Sequence, residues 1–343
     1  MSNDNIYRMM NEIETDITEF TGASCSDIET KRTKKKVMDK LHAKKRGRRW
    51  AVAACAVLGV GLLAAGPFGS QVNAGVKLAS YYIGSWFGAE VQNYEECIGE
   101  AITKDGVTVQ LNSVVLDGNE LTVSTTIDAG EKVGAEAWPS IDSTVYINGR
   151  VASYAGGGGV SQEDDQTFLS IMTYSLEKDM IRENEKMDME IVMQDMQGLH
   201  SRTWAFQFTA DGAKLAADTV HIPVDQTISL PDGNEVTFTE LSRNAMGDKL
   251  FFRLSGDKLT YHLKLTGTDD MGRPIVFELR QSHGNEGYVI ADPNYPMDEG
   301  KNVIDNEAKT LTLTPYAAEF AKESGRENDD YKETGAPFTV NLK

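Results

Sequence analysis

Residues Trp50–Phe68, WAVAACAVLGVGLLAAGPF, form the one run of this 343-residue chain that is apolar from end to end and carries no charge. As an α-helix rising ~1.5 Å per residue, the run would span ~27 Å, close to the ~30 Å hydrocarbon core of a bilayer. The preceding segment, 31–49, holds eleven Lys and Arg residues against one acid, Asp39. Because positive charge is retained in the cytoplasm, this pattern predicts one transmembrane helix with a cytoplasmic N-terminus and an extracellular C-terminus.

Two other interpretations of the apolar run stay open. A buried core helix can be as apolar, although a dense basic block rarely precedes one. A cleaved secretory signal is the second alternative, because Val72 and Ala74 are small residues at the spacing that a signal peptidase reads. The Ala- and Gly-rich composition also makes a weak membrane helix. Against cleavage, some 30 further residues precede the basic block, whereas signal peptides total roughly 15–30 residues. We therefore favour a retained anchor.

The charge of the chain divides at the same run. The formal net charge is −18, with twelve basic and eight acidic residues up to Arg49 and 22 basic and 44 acidic residues after it, a net of −22. A part this acidic is not expected to bind nucleic acid directly. The basic tail, residues 1–49, lies beside the predicted crossing, where its expected partner is membrane lipid.

The tail begins with an apolar stripe at helical spacing. Apolar residues recur every three or four positions between acidic ones, which predicts an amphipathic helix over Ile6–Phe20. One interpretation is a marginal helix without a role. The other is a docking segment for a cytoplasmic protein, with these candidate partner-binding residues: Ile6, Met9, Met10, Ile13, Ile17 and Phe20.

Aromatic residues gather on both sides of the predicted crossing. Residues 69–94 are predicted to form an amphipathic juxtamembrane or stalk helix, because aromatic side chains favour the headgroup level of a bilayer. The candidate membrane-interface residues are Trp50, Tyr81, Tyr82, Trp86 and Phe87. The alternative is that those from Tyr81 onward are core aromatics of the first outer domain.

From Glu95 onward the apolar period is two, which predicts a mainly β exterior. Short alternating strands separated by turn residues favour two tandem immunoglobulin-like β-sandwiches, over residues 95–222 and 223–343. An Asp-Gly-Asn turn at 117–119 predicts a β-hairpin. Its sequence recurs at a constant offset of 129 residues, with Gly118 falling on Gly247, which suggests a shared plan unless the likeness is due to chance. The glycine run Gly156–Gly159 is predicted to be a flexible loop, since no Lys-Ser/Thr follows to make it a phosphate-binding loop.

The sequence predicts no catalytic, cofactor or metal site. The five histidines show no metal-ligand spacing, and acidic pairs such as Asp164 and Asp165 lack a calcium-loop pattern. Ser-x-x-Lys occurs at Ser175/Lys178 and again at Ser255/Lys258, but both sit at predicted strand ends without the motifs that accompany an acyl-serine enzyme. The three cysteines fall in three different segments, so no disulfide framework is expected.

Three segments carry a resemblance to a known family. Inside, these are IYRMMNEIETDITEF and SDIETKRTKKKVMDKL; outside, ITKDGVTVQLNSVVLDGNELTVSTTI, with looser matches through LPDGNEVTFTEL, DDMGRPIVFELR and LTLTPY. The chain resembles Gram-positive single-pass membrane proteins with an outer domain of unknown function and a C-terminal immunoglobulin-like domain. Some members resemble membrane-bound anti-sigma factors of extracytoplasmic-function sigma factors. The chain departs from many of these in lacking their zinc-binding motif, because Cys25 and His42 alone cannot form one.

The resemblance implies a non-enzymatic regulator in which the tail binds a cytoplasmic sigma factor and the outer domains sense or bind an unknown envelope ligand. The alternative function is an envelope-binding or adhesive β-sandwich protein whose tail serves only as an anchor.

Overall fold

A computed structural model describes residues 83–87, 89–131, 133, 141–182, 185–195, 202–293, 295–297, 300–321 and 328–343. These residues form a mainly β structure with sandwich-like sheets, which confirms the predicted fold class at that level. The predicted tail helices and the apolar run Trp50–Phe68 lie outside the described residues. Within the described residues, every helix is too short or too polar to cross a bilayer.

The first domain is a sandwich of two antiparallel sheets. Its strands are β1 (Glu96–Lys104), β2 (Val107–Asp117), β3 (Glu120–Asp128), β4 (Ile141–Ile147), β5 (Arg150–Val151), β6 (Ser153–Gln162), β7 (Thr167–Leu176), β8 (Lys186–Asp195) and β9 (Thr203–Asp211). One sheet has the order β1-β2-β3-β7-β6 and the other β5-β4-β8-β9. The inward residues of both sheets form one core around the fully buried Trp204, Phe168 and Phe206.

The second domain is one continuous antiparallel sheet with its own core. Its strands are β10 (Val220–Ser229), β11 (Glu235–Asn244), β12 (Gly247–Leu254), β13 (Tyr261–Asp269), β14 (Pro274–His283), β15 (Glu286–Ala291), β16 (Thr310–Glu319), β17 (Lys332–Glu333) and β18 (Phe338–Asn341). The order is β10-β11-β12-β15-β14-β13-β16, with β17 and β18 both pairing with β16. The sheet curls until its ends approach, so that Phe338 of β18 stacks on Phe238 of β11 at 5.7 Å.

Short helices flank the first domain. Helix α1 (Ile83–Phe87) and a 3-10 helix (Ala89–Asn93) precede β1, a 3-10 turn (Lys178–Met180) follows β7, and α2 (Ala213–Asp218) joins β9 to the second domain. The helix predicted to continue from residue 69 to residue 94 is thus represented, among the described residues, by two short helical segments.

The two domains begin with the same three-stranded meander. The β2–β3 and β11–β12 hairpins both have two-residue loops, flanked by the pairs Asp117–Glu120 and Asn244–Gly247. Each hairpin also has one extra residue in its first strand, Asn112 or Thr239, where the ladder register shifts. Loops and bulges all align at an offset of 127 residues. The two hairpins therefore share one geometry, but the predicted alignment at an offset of 129 is wrong by two residues, and Gly118 corresponds to Ala245 and not to Gly247. Alternation of period two looks the same after a shift of two, so the apolar pattern alone did not fix the register.

The glycine run is a strand and not the predicted loop. Gly156–Gly159 lie in the middle of β6 and pair with β7 from Gly156–Tyr174 to Gly159–Ile171. A Cβ at Gly158 would lie 2.0 Å from the Ile171 carbonyl oxygen, whereas a Cβ at Gly157 would meet no atom within 4 Å. The close approach to β7 therefore requires glycine at position 158 but not at 157.

This difference gives a matched pair of substitutions. Gly158→Ala should lower the free energy of unfolding by about 1–3 kcal/mol, because the added methyl group forces β6 away from β7. Gly157→Ala should leave it unchanged or raise it by roughly 0.4–1 kcal/mol, because the unfolded chain loses freedom. Denaturant unfolding of both full-length variants measures the two values. If these positions formed a flexible loop, the two substitutions would change the free energy of unfolding equally.

Candidate functional site

The equivalent hairpin turns of the two domains meet at the domain junction. The side-chain amide of Asn244, in the second domain, donates a 2.9 Å hydrogen bond to Asp117 Oδ1 in the first. The same amide donates to Thr219 Oγ1 at 3.2 Å, just before the start of β10. The repeated meanders therefore supply the residues that join the two domains.

A buried ion cluster lies behind these turns. Lys249 on β12 has a side chain only 8% exposed, and its Nζ is 2.5 Å from both Asp117 Oδ2 and Glu120 Oε2. The hydroxyl of Tyr288 donates to Glu120 Oε1 at 2.5 Å, and the Lys249 ammonium lies 5.5 Å from the Tyr288 ring centroid. One cation of the second domain thus pairs with two carboxylates of the first within a largely dry site.

The electrostatics of the cluster fix its protonation states. Burial by itself would lower the pKa of Lys249, but the charges of Asp117 and Glu120 outweigh it and raise that pKa above its usual value. Burial, reinforced by the charge of Glu120, raises the pKa of the Tyr288 hydroxyl. Lys249 is therefore charged and Tyr288 neutral at physiological pH. Each member depends on the others, since a buried charge without its partner is strongly unfavourable.

Further polar contacts surround the cluster. Ser175 donates to Gln281 Oε1 at 2.6 Å, and Gln281 in turn donates to the Tyr154 hydroxyl at 2.5 Å. Lys178 pairs with Glu286 at 2.6 Å. Both members of this Ser-x-x-Lys pair thus contact the second domain, and these contacts tie β7 and β6 to β14 and β15.

An apolar cluster at the same junction includes α1. Ile83 of α1 and Val91 are fully buried against Val115 of β2, Leu215 of α2 and Met246 of the β11–β12 turn. The Tyr94 hydroxyl donates to Asp218 at 2.8 Å, and Lys214 Nζ donates to the Asn93 carbonyl at 2.7 Å. The segment before the first strand is therefore packed against both domains.

Glu95 anchors the start of α1. Its carboxylate accepts hydrogen bonds from the backbone N–H groups of Ile83 and Gly84, and from Ser113 Oγ at 3.1 Å. Burial raises the pKa of Glu95 more than these hydrogen bonds lower it. An ionisable group with a displaced pKa thus holds α1 at the junction.

A cleft of about 500 Å³ opens between the domains beside the ion cluster. Tyr154 and Lys178 line it from the first domain and Phe251, His283 and Tyr288 from the second. The rings of Tyr154 and His283 lie 4.3 Å apart across the boundary. Aromatic faces and polar groups from two domains make this cleft the candidate ligand-binding surface.

The candidate residues from the sequence are only partly placed. The six tail residues (Ile6, Met9, Met10, Ile13, Ile17, Phe20) and Trp50, Tyr81 and Tyr82 lie outside the described residues. Trp86 belongs to α1. Phe87 is half-buried and packs against the apolar cluster of the junction, as expected if it is a core aromatic of the first domain. Within the described ranges, no group of three or more His, Cys, Asp or Glu side chains is arranged to hold a metal ion.

The junction residues themselves were not predicted from the sequence. Lys249 follows a turn in the sequence GDKLFF, where a lysine is normally solvated, and Asp117 and Glu120 flank an ordinary Asp-Gly-Asn hairpin loop. No local pattern shows that these two turns lie against each other. The repeat at nearly constant register was the available signal, because it marks both hairpins as equivalent.

Comparison with known proteins finds a family match for one segment of the chain. Residues 42–129 match the model of a family described as a domain of unknown function, DUF4179. This match includes the apolar run, α1 and the β1–β3 meander with Glu95, Asp117 and Glu120. A comparison with curated proteins finds no match.

The fold is also found in a solved structure. The crystal structure of the conserved domain protein from Bacillus anthracis aligns with a TM-score of 0.55 and 13% identity, over 75% of this chain and 94% of that chain. At this identity the likeness shows the fold alone.

Lys249→Met tests the ion cluster. It leaves Asp117 and Glu120 buried without their cation, so the free energy of unfolding should fall by about 3–5 kcal/mol in denaturant titrations. Lys258→Met, at an exposed position, should change it by less than about 0.5 kcal/mol. The triple variant Lys249→Met, Asp117→Asn, Glu120→Gln should recover much of the loss, because no buried charge remains unpaired. A loss for Lys249→Met as small as the control would contradict a dry cluster.

Glu95→Gln tests the anchor of α1 through pH. Because the folded-state pKa of Glu95 is raised above 4.5, its contribution to stability is complete below that value and is lost as pH rises through the folded pKa. Glutamine carries no charge, so the free energy of unfolding of Glu95→Gln relative to wild type should increase between about pH 4 and pH 7. Thermal unfolding across this range measures the difference, and a constant or falling difference would contradict the raised pKa.

Proposed function

We propose that the protein is a non-enzymatic regulator anchored in the cell membrane by a single span, resembling an anti-sigma factor. In this proposal the tail, residues 1–49, binds a cytoplasmic sigma factor of the extracytoplasmic-function class, and the two β domains bind an envelope component outside. The immunoglobulin-like relation of the C-terminal domain belongs to the same proposal, supported by its antiparallel strands around a single core.

The observation that carries the proposal is the position of α1. This helix is buried against residues of both β domains, and in the sequence only residues 69–82 separate it from the apolar run. Any change in the relative placement of the domains must therefore repack Ile83 against Val115 and Met246. A close-packed contact of this kind has discrete arrangements, which suits a signal passed toward a membrane.

The cleft between the two domains is the place where a ligand would act on their arrangement. A ligand shifts a conformational equilibrium only as far as it binds one arrangement better than the other. The walls of the cleft come from different domains, with Tyr154 and Lys178 on one side and His283 and Glu286 on the other. A ligand bound there contacts both domains, so its affinity depends on their relative placement.

An envelope-binding or adhesive protein is the alternative function. The cleft favours it as well, because a surface lined by Tyr154, His283 and Phe251 can bind an envelope component without any tail. Only the role of the tail distinguishes the two functions.

Tail substitutions separate them. Ile13→Asp combined with Ile17→Asp should weaken co-purification with the sigma factor at least ~100-fold, because two apolar anchors worth roughly 1.5–3 kcal/mol each become charged. The matched control, Asn11→Asp with Thr15→Asp, adds the same two charges to the opposite face of the predicted helix and should leave binding intact. Deletion of residues 1–30 should abolish transcriptional regulation. An adhesive protein would show no regulatory change in any of these variants, and retained sigma-factor binding by the first variant would refute the docking stripe.

A further inference from the structure

Strand β6 is an open sheet edge without the usual protection against pairing. It lies at the end of the β1-β2-β3-β7-β6 sheet, and among the described residues no strand pairs with its other side. Its sequence, SYAGGGGVSQ, contains no charge and no proline, and from Ala155 to Gln162 its register with β7 is unbroken. Most of these residues are exposed. Such an edge presents a free row of backbone N–H and C=O groups.

The other described edges carry protective features. β1 has three charged residues, Glu96, Glu100 and Lys104, and a bulge, while β10 has a bulge beside Pro223 and Asp225. The edge strands β5, β17 and β18 are only two to four residues long. β9 lies beside β1. Charges, prolines, bulges and short lengths are the means by which proteins keep edges from pairing, and β6 is long and has none of them over Ala155–Gln162.

We propose that β6 pairs with β6 of a second copy of this chain, in antiparallel orientation, to join two sheets into one across a two-fold axis. An isologous contact of this kind needs a surface that complements itself. The glycine run lies at the centre of β6, so pairing centred at Gly157 or Gly158 places glycine against or near glycine, where no side chains obstruct the ladder. Ala155 and Val160 flank the run on either side.

The charge distribution favours a second copy of this chain, and not an unrelated acidic segment, as the partner of the β6 edge. The chain is strongly acidic, yet β6 is uncharged, so its edge is a place where two copies can approach without repulsion. Arg150 precedes β6, and Glu163, Asp164 and Asp165 follow it. Arg150 belongs to β5 of the other sheet, and antiparallel pairing places the acidic residues of the two copies at opposite ends of the ladder, where they do not repel each other.

Confinement to a surface strengthens such a contact. A single strand pair buries little area and is weak in free solution. If the chains are anchored in one membrane, the effective concentration rises and a weak ladder suffices. The inference goes beyond the proposed function and is tested without the sigma factor, so that either can fail alone.

Cross-linking of the full-length chain tests the pairing. In a background with Cys25→Ser, Cys55→Ala and Cys97→Ser, Gly157→Cys places a thiol where a Cβ meets no atom within 4 Å. Facing residues of an antiparallel pair lie about 4.5–5.5 Å apart and diagonal ones about 7–8 Å, so a thiol cross-linker spanning ~8 Å bridges two copies in either register. In membranes, Gly157→Cys should give mainly covalent dimer. Met271→Cys, at an exposed turn, is the collision control and should give little.

A charge pair provides the second test. Gly157→Asp places like charges against each other at the centre of the ladder, and should lower the dimer association constant about two- to fivefold in sedimentation of the detergent-solubilised chain. Gly157→Asn has the same shape without the charge, so it is the matched control and should dimerise about two- to fivefold more tightly than Gly157→Asp. Equal cross-linking at positions 157 and 271 would overturn the proposal. So would a wild-type chain that is monomeric in the membrane, or assemblies larger than a dimer.

Discussion

The arrangement of the two β domains depends on one buried ammonium group. Lys249 of the second domain lies between Asp117 and Glu120 of the first, and Tyr288 completes the site through Glu120. Such clusters contribute little net stability compared with apolar packing, but they tolerate few geometries, because every carboxylate oxygen and ammonium proton needs its partner. The cluster therefore fixes how the domains meet. The packing of α1 against both of them follows from that placement.

The apolar pattern of the sequence was sufficient for the strands but not for their assembly. Alternation predicted short strands from Glu95 onward and a hairpin at residues 117–119, because strands such as β8 and β9 have one face on a core. It did not show that the second domain is one curled continuous sheet, since neighbours such as β12 and β15 are distant in sequence. It also did not reveal the ion cluster, because Lys249 and Asp117 are 132 residues apart and each looks like an ordinary residue beside a turn.

Two departures from expectation have simple physical reasons. The glycine run of β6 has no side chains, so it shows no apolar alternation, and glycine usually disfavours strands. The close approach of position 158 to the Ile171 carbonyl explains why glycine is needed there. The repeat offset was displaced by two because a strand shifted by two residues presents the same face. Phe87 illustrates a third limit: an aromatic residue near a predicted crossing serves a membrane surface or a protein core equally well, and composition cannot distinguish them.

The bulges at Asn112 in β2 and at Thr239 in β11 lie at matching positions, and at each of them the strand can change length. Before the bulge the inward residues of β2 are Val109 and Leu111, and after it they are Val114 and Leu116. Losing either Asn112 or Ser113 would leave all four facing inward, because each loss restores an unbroken alternation along the strand. Both meanders thus contain a bulge at which a single-codon deletion is compatible with the architecture, so the length of this strand can change by one residue without loss of the core.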